Sequence, residues 1–82
     1  MRMLESDEVI VGRKELRDYC FAVLLRFEEH KDVRLSAVGN HINKAERIIS
    51  LFSNFGVKVK SRESKNIKDD LQAMVITISR GD

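Results

Sequence analysis

Apolar residues recur along the chain at two spacings, and each change of spacing marks the boundary of an element. The residues from Val9 to Val11 form a short apolar run that ends at Gly12, which is typical of a buried strand. From Glu15 onward the apolar residues recur every three or four positions, which predicts an amphipathic helix ending near residues 30–32. The apolar stripe of this helix consists of Leu16, Tyr19, Cys20, Val23, Leu24 and Phe27.

The same succession of strand, glycine and helix follows in the middle of the chain. Apolar and polar residues alternate from Val33 to Ala37, which predicts a second strand that ends before Gly39. Asn40 and Asn43 are both candidate N-caps of a second helix. We expect the helix to stop at Gly56, because glycine suits the left-handed C′ position. The apolar stripe of this helix consists of Ile42, Ala45, Ile48, Ile49, Phe52 and Phe55.

Two more strands are predicted after the second helix. Val57 and Val59 alternate with basic residues, which predicts a third strand with one apolar and one basic face. The polar segment from Glu63 to Asp70 is predicted to form the mobile tip of a hairpin. The fourth strand should run from about Leu71 to Ser79, and its alternation places Met74, Ile76 and Ile78 on one face.

The predicted element order, β-α-β-α-β-β, defines a fold class. Right-handed crossovers place both helices on the same face of the sheet. We therefore predict one domain over residues 1–82: an α/β two-layer sandwich with a four-stranded mixed sheet, two helices on one face and the other face open. A domain of 82 residues buries only about 60% of its unfolded surface, which leaves little room for an interior ligand cavity.

Composition and charge narrow the range of functions. Hydrophobic residues make up 43% and charged residues 34% of the chain, without proline, as in a folded domain. The longest apolar run, Cys20 to Leu25, is far shorter than a membrane span, so we expect a soluble, intracellular protein. A net charge of +2 is only mildly basic, and the distribution of charge must therefore decide whether nucleic acid is a partner.

The segment from Ser36 to Ala45 is the first candidate for a binding site. A strand, a glycine turn and a helix start leave backbone N–H groups at the positive end of the helix, next to Asn40, His41 and Lys44. Such a place suits a phosphate, although turns of this kind are more often purely structural.

Arg13 and Lys14 form a second candidate site, at the first glycine turn. Two cations at the positive end of a helix cost a few tenths of a kcal/mol unless an anion lies there. Both turns follow parallel strands, so we expect Arg13, Lys14 and Lys44 in one basic patch at one end of the sheet.

Catalytic and metal sites are not expected. His30 and His41 are isolated, and Asp69-Asp70 has the composition of a hairpin turn rather than of an acid/base pair. Cys20, the only cysteine, lies on an apolar stripe, which predicts burial rather than nucleophilic reactivity. We therefore predict no catalytic residue, no metal and no cofactor, and a protein that is not an enzyme.

From Val9 to Arg80 the chain resembles the Alba family of small archaeal chromatin and RNA-binding proteins. The segment VIVGRKELRDY is similar to the family's apolar strand, glycine, basic pair and helix with an early tyrosine, and VGNHINKA is similar to its second glycine motif. A basic third strand, a polar hairpin and an alternating fourth strand complete the likeness. Asn40 departs from the arginine that the family usually has directly after this glycine.

This resemblance implies a fold like that of the C-terminal domain of translation initiation factor three, and a homodimer. It places Arg13 and Lys14 on the family's basic pair, which undergoes regulatory lysine acetylation in some members, and Lys44 on the lysine of the second motif. It also implies a nucleic-acid surface made from both turns and the hairpin, and a dimer interface on the second helix and last two strands. The expected interface residues are Leu51, Phe52 and Phe55.

We thus predict a non-enzymatic, largely sequence-independent DNA- or RNA-binding protein of the cytoplasm, associated with the nucleoid or with ribonucleoprotein. The alternative is a small dimeric protein-protein scaffold subunit of a ribonucleoprotein, with weak nucleic-acid binding of its own. The predicted nucleic-acid-binding residues are Arg13, Lys14, Asn40, His41, Lys44, Arg47, Lys58, Lys60, Arg62, Lys65 and Lys68.

Overall fold

Six elements follow one another in the predicted order in the computed structural model of the protein, which describes residues 7–80. They are β1 (Glu8–Ile10), α1 (Leu16–Glu29), β2 (Asp32–Val38), α2 (His41–Ser53), β3 (Lys58–Lys68) and β4 (Leu71–Ser79).

The four strands form one mixed sheet in the order β1-β2-β4-β3. β1 pairs with β2 in parallel, so that Val9 lies opposite Leu35. β4 is antiparallel to both of its neighbours, and Ile76 of β4 lies opposite Leu35 on one side and Arg62 on the other. The predicted four-stranded mixed sheet is confirmed.

Both helices cover one face of this sheet, as predicted. The alternation in β2 directs Val33, Leu35 and Ala37 toward the helices, where all three are buried. The aromatic rings of Phe27 in α1 and Phe52 in α2 meet edge to face, with 6.4 Å between their centroids. Burying a side chain such as leucine or valine contributes about 1.5–3 kcal/mol, so this layer is the main source of stability.

The first strand is not buried on both sides, which corrects the prediction for Ile10. Val9 and Val11 are buried, whereas Ile10 is 73% exposed. β1 is a three-residue edge strand, and the side chain of its last residue, Ile10, lies on the face that no helix covers. An uninterrupted apolar run is thus not sufficient evidence for a strand covered on both faces.

The third strand is longer than predicted. The segment from Glu63 to Asp70 was expected to be a mobile tip, but β3 continues through Lys68 and pairs with β4 along its length. The hairpin turn itself is confined to Asp69 and Asp70. Polar composition indicated a loop here because both faces of this strand are exposed, so no apolar alternation marks it.

A β-bulge also breaks the predicted division of β3 into an apolar and a basic face. Val59 lies opposite Ile78, but the next paired residue is Ser61, opposite Thr77, so Lys60 is the extra residue. After the bulge the alternation is shifted by one, and Arg62 lies on the helix-facing side of the sheet. The basic residues of β3 therefore do not share one face.

Gly39 precedes α2 and Gly56 follows it, as predicted, but the capping residues differ in detail from the prediction. Asn40 occupies the N-cap position without a side-chain capping hydrogen bond, and Asn43 lies inside the helix. Gly39 has a left-handed φ of +61°, and its N–H donates to the carbonyl oxygen of Gln72 at 2.8 Å. Gly56 is also left-handed, but it lies two residues after the C-cap Asn54 rather than one.

The substitution Gly39→Ala should destabilise the fold by about 1–2 kcal/mol, because an L-residue is strained at this φ. The new Cβ would also lie only 3.2 Å from Cδ1 of Leu71. Urea denaturation checks this. The matched control is Gly12→Ala, where φ is not positive and the nearest atom to a new Cβ, the Tyr19 hydroxyl oxygen, is 3.4 Å away. An equal loss in both variants would contradict the assignment of strain to Gly39.

Candidate functional site

The two glycine turns meet at one end of the sheet. The ammonium group of Lys44, in the first turn of α2, donates hydrogen bonds to the carbonyl oxygens of Gly12 at 2.8 Å and Lys14 at 2.7 Å. Lys14 and Lys44 are 30 positions apart in the sequence. The structure therefore brings Arg13, Lys14 and Lys44 together, as expected for two turns that follow parallel strands.

Tyr19 holds the same turn from the other side. Its hydroxyl oxygen accepts hydrogen bonds from the N–H groups of Gly12 at 2.7 Å and Lys14 at 3.0 Å. The ring is buried, and the Lys44 ammonium lies 5.6 Å from its centroid, a distance that suits a cation–π contact. We call Tyr19, Lys44 and the four main-chain groups that they bind the turn clasp.

The side chains of Arg13 and Lys14 are not among the groups that form the clasp. Both residues are exposed, and within residues 7–80 neither forms an ion pair. The turn's N–H groups at positions 12 and 14 already donate to Tyr19, so an anion arriving here would meet the two cationic side chains. At the first turn, therefore, the N–H groups of Gly12 and Lys14 are occupied, whereas the charges of Arg13 and Lys14 are exposed.

The second turn has a different electrostatic setting. A depression of about 470 Å³ is lined by Gly39 and Asn40 on one side and by Asp69 and Asp70 of the hairpin turn on the other. The chain thus places two of its own carboxylates beside the positive end of α2. The Gly39 N–H is also already bonded. Together with Asn40, these features make the second turn less favourable for a phosphate than the first.

Two cations of the hairpin are paired with carboxylates of the domain. Lys60 binds Asp32 at 2.7 Å across the open face, and Arg62 binds Glu46 of α2. The Lys60 ammonium and its hydrogen bond hold the pKa of the Asp32 carboxyl below its ordinary value. Exposed pairs of this kind are weak, but they compete with any phosphate for the same cations.

The remaining candidates of the hairpin lie at two ends of the sheet. Lys58 is opposite Ser79, at the end away from the glycine turns. Lys65 is opposite Ala73, which in turn is opposite Val38, and it therefore lies near the second turn on the open face. Lys68 flanks the hairpin turn. Only part of the predicted basic hairpin can therefore act together with the turns.

Two candidates on α2, His41 and Arg47, are not part of the basic patch of Arg13, Lys14 and Lys44. His41 lines a groove on the open sheet face, together with residues of β1, β2 and β4. Arg47 is exposed farther along the helix, where it has no ion pair with a described residue.

An apolar groove of about 790 Å³ runs between the two helices. Leu51 and Phe55 border it and are 45% and 79% exposed, whereas Phe52 is buried beneath them in the core. Cys20 also lines this groove and packs against the core, and burial raises the pKa of its thiol. A raised thiol pKa disfavours the thiolate that a nucleophilic cysteine requires.

Two further features, a metal-binding cluster and a helix that could span a membrane, are both absent from the described residues. Within residues 7–80, no three His, Cys, Asp or Glu side chains are grouped so as to hold a metal ion. Over the same residues, no helix is both long and apolar enough to cross a membrane.

Comparison with known proteins identifies the fold. No family model and no curated protein sequence matches the chain. ALBA1 of Trypanosoma brucei superposes with a TM-score of 0.82 at 20% identity, over 98% of this chain and 74% of that one. Alba of Thermoplasma volcanium superposes with a TM-score of 0.76, also at 20% identity, over 88% of this chain and 98% of its own. The chain has the Alba fold. The resemblance indicated by the two glycine motifs is thereby confirmed at the level of the fold.

Two features that shape this Alba-fold site were not among the predicted site residues. Tyr19 was placed on the core stripe, but its hydroxyl group supports the first turn. The signal available in the sequence was a tyrosine seven residues after Gly12, on the inward side of the helix that the turn precedes. Asp69 and Asp70 were assigned to the hairpin turn, and only the pairing register places that turn beside Gly39.

The substitution Lys60→Met should raise the pKa of the Asp32 carboxyl toward its ordinary value, because the hydrogen bond from Lys60 is the largest cause of its depression. A carboxyl-detected NMR titration measures this pKa. Lys58→Met, which removes an equal charge from the same strand without removing the bond, is the matched control. An unchanged Asp32 pKa in Lys60→Met would show that the ion pair does not form in solution.

Proposed function

We propose that the protein binds nucleic acid through phosphate groups, with Arg13 and Lys14 as its principal contacts. The observation that carries this proposal is a pair of exposed cations that form no ion pair within residues 7–80, on a turn whose main-chain groups at Gly12 and Lys14 are held by the clasp. The Alba fold adds support, because the resemblance to the Alba family implies a nucleic-acid surface at this turn.

The electrostatics of the turn favour an anionic ligand. Arg13 and Lys14 precede the N-terminus of α1, where the helix dipole disfavours cations. The nearest carboxylate in the sequence, that of Glu15, is bound to Arg17 at 3.2 Å. A phosphate at the turn removes the repulsion and releases counterions from the nucleic acid, which gives binding that depends on salt but not on sequence.

The aromatic residues do not provide a surface for reading bases. Phe27 and Phe52 are buried, and so is Tyr19. Phe21 and Phe55 are exposed, but neither lies on a glycine turn. Stacking on an exposed aromatic ring is the usual way to hold single-stranded bases, so a duplex backbone is the proposed ligand.

The proposed contact surface is smaller than the eleven residues expected from the sequence. Arg13 and Lys14 form its centre, and Lys65 and Lys68 are its candidate extensions along the hairpin. Lys60 and Arg62 are engaged by carboxylates, and Lys58 lies at the far end of the sheet. The candidates Asn40, His41 and Arg47 would contribute only at the periphery. Association with the nucleoid or with ribonucleoprotein would follow from such binding.

We also propose that two copies associate through the apolar groove between the helices. Leu51 and Phe55 are exposed beside it, and large exposed apolar side chains around one depression are typical of an interface. Phe52 would contribute from the floor of the groove. A dimer would present two first turns to one nucleic acid, which increases the overall affinity without a new kind of contact.

The same groove keeps a second candidate function open, that of a scaffold subunit in a ribonucleoprotein. In that case an apolar protein interface would carry the affinity, and another component would supply most contacts to RNA. Phosphate binding weakens steeply as salt rises, whereas an apolar interface hardly responds.

Replacing Arg13 and Lys14 together by alanine should weaken binding to all duplex sequences to a similar degree. It should also make the slope of log affinity against log salt shallower by about 1–2 per protomer, since each side chain contacts one phosphate. Fluorescence anisotropy with duplex DNA, duplex RNA and single strands at several salt concentrations measures both effects.

The control for this pair removes the same charge elsewhere. Lys31→Ala with Lys58→Ala takes two cations from the end of the sheet away from the turns. We expect the control to retain nearly the parent slope. Selective loss of one sequence in the Arg13/Lys14 variant, or an equal change of slope in both variants, would refute the phosphate proposal.

The protein should sediment as a dimer at micromolar concentration, and Leu51→Asp or Phe55→Asp should convert it to a monomer. A carboxylate in an apolar interface costs several kcal/mol in desolvation, which is enough to dissociate a small dimer. Phe21→Asp is the control, because Phe21 is equally apolar and 63% exposed but does not line the groove. A stable monomer in the parent chain would exclude this interface.

A further inference from the structure

We propose that Tyr19 and Lys44 are positioning residues, which fix the first turn so that Arg13 and Lys14 face the phosphates while neither Tyr19 nor Lys44 touches them. This inference rests on the proposed function and assigns the role of one part of the site. It differs from the expectation that Lys44 is itself a phosphate contact.

The ammonium group of Lys44 already forms hydrogen bonds within the domain. Its ammonium group has three donors, and two of them bind the carbonyl oxygens of Gly12 and Lys14 at 2.8 and 2.7 Å. The group also lies 5.6 Å from the centre of the Tyr19 ring. A phosphate that drew Lys44 outward would break both hydrogen bonds and leave two carbonyl groups without their donor.

Tyr19 cannot reach a phosphate at all, because it is buried. Its hydroxyl oxygen instead accepts the N–H groups of Gly12 and Lys14. The four hydrogen bonds that hold the main chain at these two positions therefore end on two side chains, one from each helix.

The turn has few other restraints. The pairing of β1 with β2 ends at Val11, whose N–H donates to the carbonyl oxygen of Ser36. The next main-chain bond belongs to the start of α1, where the N–H of Asp18 donates to Glu15. Within the described residues, the clasp is thus what holds the segment that carries Arg13 and Lys14. Without it, the segment would be ordered only on binding, and the ordering would lower the affinity.

A double-mutant cycle tests this inference. Tyr19→Phe, which changes no charge, and Lys44→Met are each made in the parent chain and in the Arg13→Ala/Lys14→Ala variant. Affinity for one duplex DNA is measured as a function of salt, at a temperature where thermal unfolding shows each variant to be folded. Hydrogen exchange of the Gly12 and Lys14 amides reports directly on the clasp.

In the parent chain, each substitution should weaken binding on the order of tenfold, as expected when two side chains must be ordered on binding. In the Arg13→Ala/Lys14→Ala background, each should have almost no effect, because nothing remains to be positioned. The two amides should exchange faster in both variants. If Tyr19→Phe does not fold, the cycle is completed with Lys44→Met alone. The Lys44 side chain is only partly buried, so its replacement should leave the fold intact.

Other results would overturn the inference. If Lys44 contacts a phosphate, Lys44→Met reduces the salt slope by about a further 0.9 even in the Arg13→Ala/Lys14→Ala background. Parent-like binding by Tyr19→Phe, or an equal loss in both backgrounds, would also refute positioning. These results leave the effect of Arg13 and Lys14 intact. If the parent chain shows no salt-dependent binding, or the alanine pair binds as well as the parent, the proposed function itself fails and the positioning role with it.

Discussion

The parallel pairing of β1 with β2 determines where the two glycine turns lie. Because the two strands run in the same direction, their carboxyl ends and the glycine turns that follow them are at one end of the sheet. This brings α2 close enough for Lys44 to bind the main chain of the first turn. With antiparallel pairing, the two turns would be separated by the length of the strands, and the clasp could not form.

Local placement of charge matters more in this domain than its net value of +2. Arg13 and Lys14 are exposed and unpaired within the described residues, whereas Lys60 and Arg62 are each bound to a carboxylate. The sum of the charges is small because 13 acidic residues along the chain offset most of its 15 lysine and arginine residues. Arg13, Lys14 and Lys44 nevertheless come together at the first turn, and charges interact strongly only within about one Debye length.

The sequence predicted the elements and the core well, because periods of two and of three to four residues are local properties of β2, β4 and both helices. The sequence-based prediction was wrong where burial or orientation depends on neighbouring elements. Ile10 is exposed because no helix covers its face of the sheet, and Arg62 lies on the helix-facing side because of one bulge in β3. The candidate site also combines features that are local in the sequence with features that depend on tertiary contacts. The charge of Arg13 and Lys14 at a helix start is visible in the sequence, whereas the roles of Tyr19 and Asp69 require the tertiary contacts.

The two glycine turns look alike in sequence but are not equivalent in the folded domain. At the first, the main-chain groups of Gly12 and Lys14 are bound internally and the side chains of Arg13 and Lys14 are exposed. At the second, the helix N-terminus lies beside Asp69 and Asp70, and Asn40 brings no charge. A helix N-terminus attracts a phosphate only when no carboxylate of the chain is already there. Under the proposed function, a single protomer would offer one favourable phosphate site, and an extended footprint on a duplex would require a second copy of the chain.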